Sequence, residues 1–214
     1  MTTLRGSWLL WALAATLQAE ASKPELKIQV FVYNYAGVPA ETLARAEREA
    51  ARIYNRTGIQ TEWLGCPLTP DEALRYPTCQ LPVSPTRLAL RVLSRSMSDR
   101  FRLSQATIGS ALLREDGGFG MIAQVCALCS EELAKGDTAM YGVILGHVMA
   151  HELGHLLLGA GCHAPTGLMH VPWYKKDFES MAQGALRFTA WEGVKIRREV
   201  CARMSGDAEA KNQR

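Results

Sequence analysis

The segment His151-Glu152-Leu153-Gly154-His155 has the residue types and spacing needed for metal-assisted hydrolysis. In a helix, residues i and i+4 lie one turn apart on the same face, so His151 and His155 can both bind one ion at about 2.0–2.1 Å. Glu152 lies about 100° round the helix from His151 and can reach a water molecule at an open coordination position. A carboxylate there acts as the general base that takes the proton of the metal-bound water. The pattern therefore predicts one catalytic Zn²⁺, with Glu152 as base.

The helix predicted to carry this motif spans residues 138–158, with Asp137 or Thr138 as its N-cap, and is apolar on nearly every side. Such a composition predicts a buried helix, in which a Glu and two His are costly unless they are paired or bind a metal. The alternative is a core helix whose histidines are hydrogen-bonded. His147, one turn before the motif, fits either a partner of the metal ligands or a core histidine.

A third ligand has to come from outside the helix, because one helix face cannot surround a metal. Gly159 and Gly161 can end the helix and turn the chain back, which makes His163 the candidate. The rival candidates are Asp177 and Glu179, which follow later in the chain. The two glycines favour His163.

The run from about Ala150 to Pro172, with its HExxH, a Gly-bearing turn, a third His and Met169, resembles the metzincin clan of zinc endopeptidases, most closely its matrixin-like members. The clan's pattern is HExxHxxGxxH followed by a Met-turn. Here His163 stands 12 residues after His151, two more than in that pattern. The chain is most similar to predicted secreted bacterial proteins with such a longer spacing. The resemblance implies an α+β fold, with a small twisted mixed sheet packed on two long helices and a C-terminal helical subdomain.

The resemblance also implies roles for residues around the metal. Met169 would form the Met-turn below it, and Tyr174 is a candidate oxyanion stabiliser. His170 follows Met169 as a His does in astacin-like Met-turns, but Val171 stands where those have Tyr, so that tyrosine's role does not carry over. The segment 117–125 would be the edge strand that borders the cleft and pairs with an extended peptide, the alternative being an interior strand.

The implied function is a secreted zinc-dependent endopeptidase acting on peptides or proteins. The alternative is a zinc-stabilised extracellular binding module without turnover. The presence of Glu152 favours the enzyme, since a purely structural zinc site usually has four protein ligands and no open position.

The remaining elements follow from periodicity and from turn and capping residues. Residues 97–113 give no clear pattern, and Thr189 to Glu192 match a capping box. The predicted order is α+β: a strand at 27–35, a helix from Pro39 to about Gly58, strands at 60–64, 86–94 and 117–125, the motif helix, and a last helix from 189 to about Met204.

The two ends of the chain carry separate signals. Residues 1–21 have a basic Arg5, an apolar stretch and small residues at Ala19 and Ala21, which predicts a signal peptide and a secreted or periplasmic protein. The stretch is too short for a membrane anchor, which needs about 20 apolar residues. Residues 22–204 are then one domain, and 205–214 a disordered tail. A net charge of +3 without a concentrated basic stripe argues against a nucleic-acid partner.

Export makes disulfides the expected fate of the six cysteines. Cys66 and Cys79 bracket a Pro-rich loop and are the most natural pair. Cys126 and Cys129 have redox-motif spacing, but no thioredoxin-like pattern surrounds them, so a structural bridge is expected. For Cys162, beside His163, a disulfide is expected rather than zinc ligation.

Overall fold

The computed structural model describes residues 25–81, 84–103, 107–115 and 118–212. The predicted signal peptide, residues 1–21, lies outside this part of the chain. The described elements are, in order, β1 (Lys27–Asn34), α1 (Ala40–Asn55), β2 (Gln60–Gly65), α2 (Pro70–Ala73), a 3₁₀ turn (Pro77–Gln80), β3 (Arg87–Leu93), α3 (Arg95–Arg100), β4 (Gly109–Leu112), β5 (Ile122–Cys126), α4 (Ala127–Ala134), α5 (Thr138–Leu158), α6 (Lys175–Ala182) and α7 (Ala190–Asn212).

The strands form one mixed sheet in the order β2-β1-β3-β5-β4. All neighbouring pairs are parallel except β4 with β5, which is antiparallel. Ile28, Val30 and Val32 alternate along β1 and are buried on one face, as the sequence predicts. The predicted α+β class is confirmed, with a small mixed sheet, two long helices packed on it and further helices at the C-terminal end.

The prediction that segment 117–125 forms the edge strand is wrong. β5 begins at Ile122 rather than at 117, and it pairs with β3 on one side and β4 on the other. It is therefore an interior strand. β4 comes from residues 97–113, the segment whose sequence gives no clear pattern. It pairs antiparallel with β5, and no described strand pairs with its other side, so β4 is the outer strand.

The motif helix α5 is buried along almost its whole length and packs against α1, the sheet, α4 and α7. Its contact with α1 is close: a Cβ added to Gly146 would lie 2.6 Å from the carbonyl oxygen of Ala46. Glycine is therefore needed at this crossing. Asp137 is the N-cap, its Oδ1 accepting from the Met140 N–H at 2.9 Å.

The last helix, α7, begins with the predicted capping box. The Thr189 N–H donates to Glu192 Oε2 at 2.7 Å, and the Glu192 N–H donates to Thr189 Oγ1 at 3.3 Å. The helix extends to Asn212, beyond the end expected at about Met204. The tail contains Ala, Glu and Lys, which favour helix without any apolar periodicity.

Buried Arg203 joins α7 to three other parts of the chain. Its guanidinium donates to three main-chain carbonyls, those of Pro85 at 3.0 Å, Gly120 at 3.2 Å and Leu156 at 2.7 Å. Its Nε donates to Glu199 Oε1 at 2.6 Å. Leu156 lies in the last turn of α5, so this side chain fixes the C-terminal helix to the end of the motif helix.

Two disulfides are present, Cys66–Cys79 and Cys126–Cys129, and both predicted pairings are confirmed. The disulfide expected at Cys162 does not form, because its sulfur lies against the ring of His155 while the other free cysteine, Cys201, is exposed on α7. Within the described ranges, no helix combines the length and hydropathy needed to cross a bilayer.

Candidate active site

Three histidines converge beside β4, the outer strand of the sheet. One ligand nitrogen from each of His151, His155 and His163 can be chosen so that all lie within 4.8 Å of one another. The Nε2 atoms of His151 and His155 are 3.0 Å apart. Two nitrogens bound to one tetrahedral zinc at about 2.1 Å lie roughly 3.4 Å apart, so the group matches a zinc site in size.

The protonation of the two helix histidines also suits a metal. Burial lowers the pKa of His151 to about 4, and it lowers the pKa of His155 to about 3 with a further contribution from the neighbouring imidazoles. Both rings are therefore neutral near pH 7, the form in which histidine binds metal. Three imidazoles with an open fourth position are a donor set that fits Zn²⁺.

The chain reaches His163 through the turn that the two glycines allow. Gly159 and Gly161 have φ values of +80° and +65°, a region that other residues rarely adopt. The ring of His163 then lies 4.8 Å from that of His155 and 5.5 Å from that of His151, measured between centroids. The structure thus brings His163 into the group despite its longer spacing.

Contacts behind His151 orient its ring. Its Nδ1–H donates to the carbonyl of Leu168 at 2.9 Å, which directs Nε2 towards the other histidines. Trp173 packs edge-on against the same ring, with centroids 5.6 Å apart. Met169 is fully buried below α5, where a Cβ added to Gly154 would lie 3.0 Å from its sulfur. The sequence marks Met169, but no sequence signal identifies the Leu168 carbonyl, since any residue offers one.

Glu152 is almost fully buried, and burial raises the pKa of its carboxyl to about 8. β4 passes directly against it: a Cβ added to Gly109 would lie 2.5 Å from Glu152 Cγ and 2.6 Å from Oε1. Sequence analysis missed Gly109, because a glycine in a four-residue strand has no local signal for such a close approach. The edge strand therefore fixes the position of the candidate base.

A cleft of about 270 Å³ lies beside the metal group. The three histidines and Glu152 belong to its wall, together with β4 and, from the segment after Met169, Val171 and Trp173. The metal group and the candidate base thus face a common space that borders the outer strand of the sheet.

Cys162 lies on the far side of His155, its sulfur 3.0 Å from His155 Nδ1. Burial is the main cause that raises the pKa of this thiol to about 11, and the negative charge of Glu192 acts in the same direction. The sulfur is therefore a neutral thiol near pH 7. It is not a member of the three-histidine metal group.

Other predicted candidates lie away from this group. Tyr174 is 56% exposed at the start of α6 and is not among the described residues that line the cleft. His170 Nδ1 is 3.9 Å from Asp177 Oδ2, which also accepts from the Tyr174 N–H at 2.8 Å. Glu179 is exposed, with an oxygen 3.7 Å from Lys175 Nζ. Neither acidic rival of His163 belongs to the metal group.

His147 is completely buried and is held between two helices. Its Nδ1–H donates to the Val143 carbonyl at 2.8 Å, and its Nε2 is 3.6 Å from Glu49 Oε1 on α1. These contacts favour the interpretation as a core histidine over a partner of the metal ligands.

No protein-family model and no curated protein matches the sequence. Among solved structures, the chain is similar to archaemetzincin from Methanopyrus kandleri, with a TM-score of 0.50 and 13% identity over 84% of this chain and 98% of that one. It is also similar to a zinc-dependent peptidase from Methanocorpusculum labreanum, with a TM-score of 0.49 and 15% identity over 78% and 99% of the two chains. The first likeness shows a common fold.

Proposed function

We propose that this chain is a secreted zinc-dependent endopeptidase of metzincin type, in which Glu152 is the general base. The observation that carries the proposal is the convergence of three histidines and a buried glutamate on one cleft, beside β4, whose outer side no described strand covers. The shared fold with archaemetzincin supports it.

The donor set supports catalysis rather than a structural role. His151, His155 and His163 would hold the zinc, and the group contains no fourth ligand among the described residues. Zinc held by these residues would polarise a carbonyl and lower the pKa of a water molecule to about 7. A zinc-stabilised binding module, the second candidate, would more often have four protein ligands.

Glu152 is proposed to transfer the protons of the reaction. Burial favours its neutral carboxyl. Zinc held by the three histidines would favour the ionised form, in which Glu152 can accept the proton of the attacking water. Glu152 then donates that proton to the leaving amine, a general acid–base role.

The substrate is proposed to bind along β4. The Cys126 N–H donates to the Ile108 carbonyl at 2.9 Å, and hydrogen-bonding direction alternates along an antiparallel strand. The main-chain groups of Gly109 and Ala111 therefore face away from β5, and both residues line the cleft. An extended peptide can add there as a further strand, with little dependence on its sequence.

Residues 1–21 and the cysteines support a secreted or periplasmic location. Two disulfides are compatible with an oxidising compartment, and residues 1–21 are proposed as the signal peptide that directs export. The partners are then extracellular or periplasmic peptides and proteins rather than nucleic acid.

The test is hydrolysis of unfolded casein by the purified protein. We expect cleavage that a chelator abolishes and added zinc restores, with the Glu152→Gln variant, purified identically, as the control for contaminating proteases. A zinc-loaded protein that binds casein but leaves it intact would instead support the binding module.

A separate prediction concerns the close approach of β4 to the base. Gly109→Ala should displace the Glu152 side chain, since the new methyl group would overlap it, and peptide hydrolysis should fall at least tenfold while zinc content stays at the parent level. Overpacking of this kind also costs about 1–3 kcal/mol of stability. Gly65→Ala is the matched control, because a Cβ there meets open space. Parent-like hydrolysis by Gly109→Ala would show that Glu152 does not depend on this contact.

A further inference from the structure

A second cavity, of about 400 Å³, lies behind the loop that carries His163. Cys162, His163, Glu192 and Lys195 line it. Cys162 also connects this cavity to His155 of the metal group, because its sulfur is 3.0 Å from His155 Nδ1.

Zinc coordination would decide which ring nitrogen of His155 carries the proton in this contact. His155 Nε2 faces His151 Nε2, so zinc held by both histidines would bind Nε2 and leave the proton of His155 on Nδ1. The Nδ1–H would then donate to the sulfur of Cys162. Metal-ligating histidines usually donate this proton to a carboxylate, a carbonyl or a water, as His151 does to Leu168. His155 has a thiol in that place.

Glu192 is the acidic residue that lines the same cavity as Cys162. It is 1% exposed, and its Oε2 is occupied by the Thr189 N–H of the capping box. Its Oε1 has no hydrogen-bond partner in the described part of the chain. No hydrogen bond joins this oxygen to Cys162, so Glu192 acts on the thiol only through its charge, across the cavity that both residues line.

We infer that Cys162 is a positioning residue that fixes the ring of His155 for zinc, and that the charge of Glu192, across the cavity that both residues line, acts on zinc binding through this thiol. The inference rests on the assignment of zinc to the three histidines and not on peptide hydrolysis. Partners of metal ligands of this kind typically contribute 10- to 100-fold to metal affinity.

The first experiment measures zinc affinity by competition with a chelator. Cys162→Ala should bind zinc about 10- to 100-fold more weakly than the parent. Cys162→Ser should recover much of the loss, because a hydroxyl oxygen also accepts from Nδ1. The control is Cys201→Ala, which removes the exposed free cysteine on α7 and should leave affinity unchanged. Melting curves of the zinc-free variants show whether the fold is preserved.

Cobalt substitution distinguishes an orienting thiol from a ligating one. The cobalt-loaded parent should lack sulfur-to-metal charge-transfer absorption, because Cys162 contacts the ring nitrogen opposite to the metal side. Such absorption in the parent and its loss in Cys162→Ala would overturn the inference and make Cys162 a ligand. Unchanged zinc affinity in a folded Cys162→Ala would overturn it as well.

A double-mutant cycle tests the part played by Glu192. Glu192→Gln keeps an oxygen that can accept from the Thr189 N–H, so the helix cap is preserved. It should weaken zinc binding in the parent and have no further effect in Cys162→Ala. An equal effect in both backgrounds would show that Glu192 acts independently of the thiol. A parent that binds no zinc would instead contradict the zinc assignment and, with it, the proposed function.

Discussion

Glu152→Gln should retain one bound zinc per chain and lose about 10²–10⁴-fold in kcat for peptide hydrolysis. The amide is close in size to the carboxylate, so packing against Gly109 is preserved, but it cannot accept a proton near pH 7. Its side chain is not one of the three metal donors. Metal analysis and single-turnover hydrolysis of the same preparation would measure both effects.

The matched control is Glu179→Gln, which makes the same chemical change at an exposed position of α6 beside Lys175. We expect that variant to hydrolyse peptides at the parent rate. If Glu152→Gln were also to retain the parent rate, another group would have to accept the proton and the proposed mechanism would be wrong.

His163→Ala should abolish tight zinc binding and, with it, hydrolysis. The two histidines of α5 come from one helix face and leave half of the coordination sphere open. Loss of His163, the one loop donor found among the described residues, removes a third of the protein ligands. Because His163 follows Gly159 and Gly161 on the surface side of the turn, the substitution should leave the fold intact. Zinc stoichiometry and circular dichroism would check the two expectations.

Glu179→Ala and Asp177→Ala are the comparison variants, since both acids are rival ligands by sequence. Glu179→Ala should be indistinguishable from the parent. Asp177→Ala should lose about 0.5–2 kcal/mol of stability through the cap at Tyr174, while keeping its zinc. Full zinc binding by His163→Ala together with its loss in Glu179→Ala would favour a different third ligand and contradict the metzincin-type site.

Features encoded within a short segment could be predicted from the sequence. α5 was predicted with its bounds because Asp137 caps it and its apolar composition marks it as buried. The capping box at Thr189 fixed the start of α7, and a Pro-rich loop between Cys66 and Cys79 indicated their bridge. Each of these signals depends on residues close together in the chain.

Features that depend on distant segments were missed. β4 has only four residues, Gly-Ser-Ala-Leu, and it becomes a strand because β5 is available beside it rather than through its own pattern. β4, rather than the predicted β5, is therefore the outer strand on this side of the described sheet. The prediction of a disulfide at Cys162 was wrong for a related reason. An oxidising compartment favours pairing of cysteines in general, but only the fold shows that the sulfur of Cys162 faces the ring of His155.

Arg203 sets a lower limit on the length of chain that can fold with an intact metal helix. A protein shortened to end before it would leave the carbonyls of Pro85, Gly120 and Leu156 without the donor they share. The bonds to Gly120 and Leu156 are buried, and each of these carbonyls left unpaired costs about 1–3 kcal/mol, which together is a large part of the stability of many domains. A minimal version of this protein cannot therefore be delimited by the run from HExxH to Met169, because the residue that closes the end of the helix is supplied from far downstream.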